Sequence, residues 1–309
     1  MNILVTGADG FVGGWLVRAL LEQGHAVTGI HRTGGHPSRL LTLAERGAVE
    51  WRDMELADSA SVVAAAAGRW DAVVHLAALA SGMDARRDPS LAWEINAAGT
   101  SRLAESLESG TRLLLVSTGE VYGPGQGLPR DETDPVAPVS PYAASKAGAE
   151  IAALEAATRR GLTIIVARAF QHTGPGQESR FVVPAFVNRL KEARRAGRDT
   201  IDTGNLDPVR DLLDVRDVAT AYIALLERGA PGQVYNVASG VGHPLRVVLE
   251  RLEALMGFRV APKSDPALAR AADIMHLVGN PAKLRTATGW APRFTLDRTL
   301  QDLLDAQTD

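Results

Sequence analysis

Tyr142 and Lys146 stand four residues apart in the segment "SPYAASK", directly after a proline that could begin a helix. The chain has only four tyrosines and four lysines, so few such pairs arise by chance. An exposed pair of this spacing would be an ordinary solvated contact on a helix face. In a ligand-binding crevice, however, the ammonium would lower the pKa of the phenol, which could then act as an acid and a base. The pair therefore indicates proton-transfer chemistry, provided that other residues place it in such a crevice.

A glycine-rich turn near the N-terminus has the spacing of a phosphate cradle. Residues 6–13 read "TGADGFVG", between an apolar segment and a segment of helical periodicity. Glycines in such a turn let the backbone approach a pyrophosphate, and the N-terminus of the next helix supplies N–H groups to the anion. A turn of this pattern without a ligand is the alternative. The predicted dinucleotide contacts in the turn are Gly7, Asp9, Gly10, Phe11, Val12 and Gly13.

Further dinucleotide contacts are expected where neighbouring strands end. The second strand ends in His31 and Arg32, with no acid before Glu45. An acid here would bind the ribose 2′-hydroxyl of NAD, whereas an arginine, with Thr33 as a second donor, suits the 2′-phosphate of NADP. We therefore predict NADP(H), with NAD(H) less favoured; if Arg32 were only a solvated loop residue, the site would accept both. The contacts expected after the third and fourth strands are Asp53, as an acceptor for the adenine amino group, with Met54, Leu76, Ala77 and Ala78.

Short apolar segments alternate with helical ones over the first half of the chain. The predicted buried strands are residues 2–5, 26–30, 49–51, 72–76, 112–116 and 163–167, and the predicted helices are 11–23, 59–67, 90–109 and 142–160. This alternation predicts an α/β protein with a doubly wound parallel sheet, the Rossmann fold. Because the carboxyl ends of parallel strands face the ligand crevice, Thr118 would lie on the same edge as the glycine turn.

The pattern changes beyond about residue 170, where long loops rich in Gly, Pro, Asp and Arg separate fewer regular elements. Long polar loops on a rigid scaffold usually bind a ligand. The segment "GQVYNVASG" predicts one more strand, which would return to the first sheet. We therefore predict a dinucleotide-binding domain of residues 1–170, to which 212–238 return. A smaller α+β substrate-binding lobe would consist of residues 171–211 and 239–309.

Composition limits the classes of function. The 309 residues carry a net charge of −3, which argues against nucleic acid or a membrane surface as the main partner. There is no cysteine, which excludes disulfides and thiolate chemistry, and the seven histidines lack metal-ligand spacing, so no metal is predicted. No apolar segment approaches the roughly 18 residues that span a bilayer, and the chain begins directly with a strand rather than a signal peptide. We expect a cytoplasmic enzyme.

The glycine turn, Thr118 and the Tyr142–Lys146 pair together resemble the extended short-chain dehydrogenases/reductases that act on nucleotide sugars, and nearly the whole chain can be laid along that family. The resemblance implies that Tyr142 is the catalytic acid and base, and that Lys146 lowers its pKa and holds the nicotinamide ribose. It also implies that Thr118 hydrogen-bonds the reacting oxygen. As in relatives, helices 90–109 and 142–160 would form a homodimer through a helix bundle.

Segments of the second half resemble more narrowly the GDP-4-dehydro-6-deoxy-D-mannose reductases. These segments are 168–177 ("RAFQHTGPGQ"), 181–186, 204–218 and 269–290. The resemblance implies that Arg210 and Arg270 pair with the diphosphate of a GDP-linked sugar, as forked guanidinium donors suit. The other implied substrate contacts are Thr118, Glu120, Gln171 and Val183. Two residues depart from the family: Gln171 stands where Asn is usual, and Gly119 stands where one dehydratase branch has an acid.

The expected reaction is the NADPH-dependent reduction of the C4 keto group of GDP-4-dehydro-6-deoxy-D-mannose, which gives GDP-D-rhamnose. A 4,6-dehydratase of the GDP-mannose type is the nearest alternative, since Glu120, here a further candidate catalytic residue, could remove the sugar C5 proton. A C4 epimerase comes next. A non-catalytic NADP-binding regulator is an alternative of a different class, but a regulator would not need the complete set of Thr118, Tyr142 and Lys146.

Overall fold

The computed structural model of the protein describes residues 1–268 and 274–306. Strands and helices alternate through its first half. In chain order the strands are β1 (Asn2–Thr6), β2 (Ala26–His31), β3 (Glu50–Asp53), β4 (Ala72–His75), β5 (Arg112–Thr118), β6 (Thr163–Ala169), β7 (His172–Thr173), β8 (Thr200–Thr203), β9 (Val209–Asp211), β10 (Leu213–Asp214), β11 (Val234–Val237), β12 (Gly242–Pro244), β13 (Ala261–Ser264) and β14 (His276–Leu277).

A seven-stranded sheet with the order β11-β6-β5-β4-β1-β2-β3 forms the centre of the protein, and all its pairings are parallel. The strand order reverses at β1, which has β2 on one side and β4 on the other. Doubly wound sheets bind their ligands at the carboxyl side of such a reversal. The predicted α/β fold with a doubly wound parallel sheet is confirmed, and the segment "GQVYNVASG" provides the edge strand β11.

Helices cover both faces of this sheet. In chain order, the α-helices of the described residues are α1 (Phe11–Glu22), α2 (Leu43–Gly47), α3 (Ser59–Ala66), α4 (Gly82–Arg87), α5 (Pro89–Trp93), α6 (Gly99–Ser106), α7 (Pro141–Arg160), α8 (Val182–Arg195), α9 (Val215–Arg228), α10 (Leu245–Met256), α11 (Ala282–Thr288) and α12 (Leu296–Ala306). One apolar core lies between the sheet and α1 and α9, and a second lies between the opposite face and α3, α6 and α7. Burial on both faces explains why the inner strands β1, β4, β5 and β6 are nearly continuous apolar runs, whereas the edge strand β3, with the sequence EWRD, has no fully buried residue.

The predicted helix of residues 90–109 is divided in the structure. A π-helical turn, Glu94–Ala98, separates α5 from α6, and α6 ends at Ser106. The wider turn contains Asn96, which is 1% exposed. A hydrophobic period of 3.6 residues does not reveal a single wide turn, so the sequence predicted one uninterrupted helix.

Strands β5 and β6 are each two residues longer than predicted. Ser117 and Thr118 continue the ladder opposite Arg168 and Ala169. The apolar pattern ends at Ser117 and Arg168, so the sequence placed the strand ends there. These polar side chains are nevertheless buried, because they bond to the helix α7 that covers the strands.

The chain beyond β6 builds small sheets and a third apolar core. Strand β7 pairs with β10, β8 pairs with β13, and β9 lies between β12 and β14. Helices α8, α10 and α12 contribute apolar side chains to the third core. Arg270, predicted to bind the substrate, lies outside the described residues. Among the residues that are described, no helix combines the length and apolar character needed to cross a bilayer.

Candidate active site

The glycine turn lies at the carboxyl end of β1, where the strand order reverses. Gly7 has φ +68°, and a Cβ on it would lie 2.9 Å from the amide nitrogen of Ala77. A Cβ on Gly13 would lie 2.1 Å from the carbonyl oxygen of Gly7, so the turn and the first turn of α1 pack backbone to backbone. A larger residue at either position would push the elements apart.

The N-terminus of α1 is suited to an anion. Its N-cap is Gly10, which gives no side-chain cap, and its first turn contains no acidic residue. Its first N–H groups and the positive end of its dipole therefore have no acidic or capping side chain on α1 to satisfy them. Phe11 begins the helix and stacks on His172 at 6.3 Å between ring centroids. Asp9 and Val12 lie half-buried in the same turn, and Leu76 to Ala78 lie half-buried at the end of β4. These features fit the pyrophosphate and adjoining sugar of a dinucleotide.

A buried chain of hydrogen bonds ties β1 to β4 and α6. The hydroxyl of Thr6 accepts from the Ala77 amide at 3.1 Å and donates to Nδ1 of His75 at 2.7 Å, because the ring proton of His75 is on Nε2. Nε2 of His75 then donates to the Thr100 hydroxyl at 3.1 Å, which donates to the carbonyl of Asn96 at 2.6 Å. Burial, helped by the charge of Lys146, lowers the pKa of His75 to about 3. The imidazole is thus neutral and serves to hold the strand ends together.

Asn96 connects the end of β4 to the helix that carries Tyr142 and Lys146. Its Oδ1 accepts from the Leu79 amide at 2.7 Å, and its Nδ2 donates to the Ser145 hydroxyl at 2.9 Å. Ser145 in turn donates to the carbonyl of Tyr142 at 2.8 Å. The sequence analysis missed Asn96 and Ser145. A buried asparagine inside an apolar helical segment was the available signal, because such a group must find partners.

The start of α7 fixes the position of Tyr142. Ser140 is the N-cap and accepts from the Ala143 amide at 3.2 Å, and Pro141 occupies the first helical position. Tyr142 therefore lies in the first turn, and Lys146 lies one turn later on the same side of the helix. The predicted helix start at Tyr142 was one residue late, because proline lacks only a donor that the first turn does not use.

Thr118 and Glu120 meet Tyr142 at the end of β5. Thr118 caps the 3-10 turn Gly119–Tyr122 by accepting from the Glu120 amide at 3.2 Å. Burial first, and the negative charge of Glu120 second, raise the pKa of Tyr142, while a hydrogen bond with Thr118 acts in the opposite direction. The net effect is opposite in sign to the lowering by Lys146 that the resemblance implied. The phenol is therefore protonated at neutral pH and has a proton to donate.

Lys146 lies one helical turn after Tyr142 and is buried, with 3% of its surface exposed. Burial lowers the pKa of Lys146 to about 8, and the carboxylate of Glu150 acts against that lowering. A buried ammonium loses hydration, and a nearby anion restores part of the lost stabilisation. The amine is mostly charged at neutral pH and titrates close to it.

At the outer edge of the crevice, His31 and Asp53 face each other across β2 and β3. Nδ1 of His31 lies 2.8 Å from Oδ1 of Asp53, and the imidazole stacks on Trp51. Met54 is buried, and its amide donates to the carbonyl of His31 at 2.9 Å. Arg32 is exposed and forms no ion pair within the described part of the chain. The Asp53 carboxylate therefore pairs with His31, whereas the Arg32 side chain is exposed and accessible to an anionic ligand.

The predicted substrate residues occupy different environments. Arg210 is 7% exposed and donates from Nη1 to the carbonyls of Val209 at 3.0 Å and Ile274 at 2.6 Å. Oε1 of Gln171 is buried and has no hydrogen-bond partner among the described residues. Val183 is 1% exposed and belongs to the third apolar core. Of these three, Gln171 presents an unsatisfied acceptor, and Arg210 is held in place by backbone oxygens.

Comparison with known proteins places the chain in one family. Residues 3–238 match the family described as the NAD dependent epimerase/dehydratase family, and the chain belongs to that family. This confirms the family resemblance drawn from the sequence.

Individual relatives cover nearly the whole chain. A GDP-6-deoxy-D-mannose reductase from Pseudomonas aeruginosa is 35% identical over 98% of this chain and 96% of its own. A UDP-glucose 4-epimerase from Mycolicibacterium smegmatis is 30% identical over 96% of this chain and 95% of its own. The structure of RMD from Pseudomonas aeruginosa complexed with NADPH aligns with a TM-score of 0.85 and 31% identity, over 99% of this chain and 98% of that one.

Proposed function

We propose that the protein is an NADPH-dependent reductase of a GDP-4-keto-6-deoxy-hexose, converting GDP-4-dehydro-6-deoxy-D-mannose to GDP-D-rhamnose. The observation that carries the proposal is the protonated phenol of Tyr142, hydrogen-bonded to Thr118 at the sheet edge that holds the glycine turn. Reduction of a ketone needs a proton donor at the oxygen. The similarity to the Pseudomonas reductase supplies the substrate class.

The residues of the crevice support NADP(H) as the cofactor. The glycine turn and the uncapped N-terminus of α1 would hold the pyrophosphate, and Lys146 would hold the nicotinamide ribose. Arg32 is exposed directly after β2, a strand that ends without an acid of its own, and the nearby Asp53 carboxylate is paired with His31. Among the structural relatives, the Pseudomonas protein was solved with NADPH.

The protein's own groups perform the proton chemistry. When bound, NADPH supplies the hydride that reduces C4. Thr118 hydrogen-bonds the C4 oxygen and orients it, and Tyr142 donates its phenol proton to that oxygen, so that one hydride and one proton complete the alcohol. The charge of Lys146 stabilises the phenolate that remains, and Lys146 helps to return a proton to it. Acid–base catalysis of this kind contributes about 10² to 10⁴ in rate.

The second half of the chain supports a substrate-binding role. We assign residues 1–170 and 212–238 to the dinucleotide domain, and 171–211 and 239–309 to the substrate lobe. Strand β11 pairs with β6 in the central sheet, whereas β8, β9 and β12 to β14 pair outside it. Arg210 would meet the diphosphate, Gln171 and Val183 would contact the nucleotide sugar, and Arg270 keeps the same predicted role.

A 4,6-dehydratase is the second candidate, because Glu120 acts on Tyr142 and therefore lies close to the reacting carbons. The two reactions differ in cofactor use. A reductase oxidises one NADPH for each product, whereas a dehydratase returns its hydride and consumes none. An epimerase also consumes none and would leave the mass of the nucleotide sugar unchanged.

The test is a product assay by mass spectrometry with GDP-mannose, or with its 4-keto-6-deoxy derivative, in the presence and absence of NADPH. We expect turnover of the keto sugar only, with a mass gain of two hydrogens and equimolar NADPH oxidation. Dehydration of GDP-mannose without net NADPH oxidation would replace our proposal with the dehydratase. No mass change in either substrate would favour the C4 epimerase or the non-catalytic regulator.

We further propose a homodimer in which residues 90–109, which contain most of α5, the turn Glu94–Ala98 and α6, and residues 142–160 of α7 meet their copies in a helix bundle. Trp93 on α5 and Ile151 on α7 are 47% and 72% exposed, although both are large and apolar. Ile151→Asp should convert the protein to a monomer in size-exclusion chromatography with light scattering, because a buried carboxylate would oppose the contact. Leu43→Asp, at another exposed apolar position on α2, is the matched control. A wild-type monomer would refute the dimer.

The cytoplasmic location stays a prediction.

A further inference from the structure

A buried ion pair lies one helical turn beyond Lys146 and is not used by the proposed reaction. Glu150 on α7 and Arg168 on β6 are each 5% exposed. Nε of Arg168 lies 3.0 Å from Oε1 of Glu150, and Nη2 lies 2.7 Å from Oε2, so the guanidinium holds the carboxylate with two parallel bonds. The Ser117 hydroxyl donates a further hydrogen bond to Oε1.

The register of the sheet assembles this cluster. Ser117 and Arg168 are direct partners on β5 and β6, so their side chains leave the sheet on the same face. Helix α7 packs on that face and places the side chain of Glu150 between Ser117 and Arg168. The other side of Arg168 is covered by Tyr122, whose ring centroid lies 4.7 Å from Cζ, and the Tyr122 hydroxyl donates to Asn236. The carboxylate is therefore fixed by two strands, β5 and β6, and Tyr122 packs on the guanidinium that holds it.

Burying such a pair has a cost that its own attraction does not clearly repay. Two charges lose their hydration, and apolar residues of the same volume often stabilise a protein as well or better. A stabilising role therefore explains the cluster poorly. A role for its electric field explains it better, because Glu150 stands at i+4 from Lys146 on the same side of α7.

The other titratable groups around Lys146 are each neutral or directed to another partner. His75 on β4 is neutral, and Tyr142 on the same helix is protonated at neutral pH. Glu120, in the turn after β5, acts on Tyr142, and the guanidinium of Arg168 is directed to Glu150. Among the described residues, none accepts a hydrogen bond from the Lys146 ammonium. Glu150 is the carboxylate whose negative charge opposes the loss of the Lys146 proton.

We propose that Glu150, fixed by Ser117 and Arg168, is a positioning residue that keeps the buried Lys146 ammonium charged at the pH where the enzyme works. The inference rests on the proposed function, in which the charge of Lys146 stabilises the phenolate of Tyr142. Ser117 and Arg168 fix the position of this carboxylate, since a bidentate guanidinium contact adds geometric specificity to the charge-assisted bonds.

The test is a direct titration of Lys146. The chain has four lysines, so lysine labelled with ¹³C at Cε gives a simple spectrum, and Lys146→Met assigns its signal. Wild type should titrate near pH 8. Glu150→Gln should lower the midpoint by about one pH unit, because the amide keeps the shape and removes the charge. Glu155→Gln removes a carboxylate from the exposed side of the same helix and should leave the midpoint unchanged.

A second variant provides the same test if Glu150→Gln fails to fold. Glu150→Gln leaves Arg168 buried without its anion, whereas Glu150→Met combined with Arg168→Met removes both charges together. The double variant should shift the midpoint in the same direction. An unchanged Lys146 midpoint in either folded variant would overturn the proposal and leave the cluster a structural role. The titration needs neither substrate nor cofactor, so a failure of the proposed reaction in the product assay would be seen separately.

Discussion

At Tyr142, the protonation state and the direction of the proposed reaction agree. A reductase needs a phenol that keeps its proton until hydride arrives, and burial with Glu120 nearby provides this. Lys146 then matters after proton donation, when a phenolate has formed beside it. The roles of the two residues therefore follow each other in time.

Replacement of Tyr142 by Phe removes the proton donor and keeps the ring. We expect kcat to fall by about 10² to 10⁴. The dissociation constant for NADPH, measured by cofactor fluorescence, should not change, because the ring still fills its space. Tyr235→Phe removes a hydroxyl that accepts from the Ala230 amide elsewhere on the sheet, and it should keep wild-type kcat. Wild-type kcat in Tyr142→Phe would exclude the tyrosine from the mechanism.

At the level of elements, buried hydrogen bonds connect the ends of β1 and β4 to helices α6 and α7 in one structural unit. His75 joins β1 and β4 to Thr100 on α6, and Asn96 joins the following loop to α7. The wide turn Glu94–Ala98 places Asn96 so that its side chain reaches both the loop after β4 and helix α7. Because neutral His75 lies at the centre of this unit, acid should weaken it.

The stability of the fold should therefore fall below the ordinary pKa of histidine. The unfolded chain binds a proton at His75 near pH 6.5, whereas the folded protein binds it only near pH 3. The stability from this residue is complete above pH 6.5 and declines at up to about 1.4 kcal/mol per pH unit as the pH falls through that window. Urea unfolding of His75→Gln should show a smaller slope over this pH window than wild type, because His172, whose pKa is also lowered by burial, still contributes, while His36→Gln, at an exposed site, should keep the wild-type slope. Equal slopes in wild type and His75→Gln would contradict the assignment.

Much of this architecture follows from local sequence, and the rest depends on distant contacts. The glycine turn, Thr118 and the Tyr142–Lys146 pair were predictable because each motif belongs to one strand end or one helix start. The partners of His75 lie 69 and 25 residues away in sequence, and Glu150 meets Arg168 across 18 residues. No local pattern specifies such pairs. They follow from the register of β5 on β6 and from the wide turn, which hydrophobic periodicity does not show.

At the scale of the whole molecule, Arg216 on α9 links the C-terminal helix to the first one. Its guanidinium lies 2.6 Å from Asp214 and 2.7 Å from Asp302 on α12. It also lies 3.7 Å from the ring centroid of Phe294 and 5.9 Å from that of Trp15 on α1. One side chain thus contacts elements from both ends of the chain.

Removing this link should destabilise the whole fold. We expect Arg216→Met to lower the free energy of unfolding by about 2–3 kcal/mol, since the fully buried side chain of Asp214 loses its cation. Arg298→Met removes another partner of Asp302, but Arg298 is 66% exposed, so the loss should be below about 1 kcal/mol. Denaturant unfolding of both variants provides the measurement. Equal losses of unfolding free energy in the two variants would show that the ion pairs of Arg216 contribute no more to stability than an exposed ion pair.

The edge position of β11 has a consequence for synthesis on the ribosome. Strand β6 is complete at residue 169, but its outer partner begins only at Val234. While the intervening residues emerge, a nascent chain presents one side of β6 unpaired, and Ile164 to Ala167 in it are apolar and at most 1% exposed in the finished protein. Unpaired apolar edges are the sites where incomplete chains associate. Chains stalled before Val234 should therefore bind a chaperone such as trigger factor in crosslinking experiments, and chains stalled well after Val237 should release it.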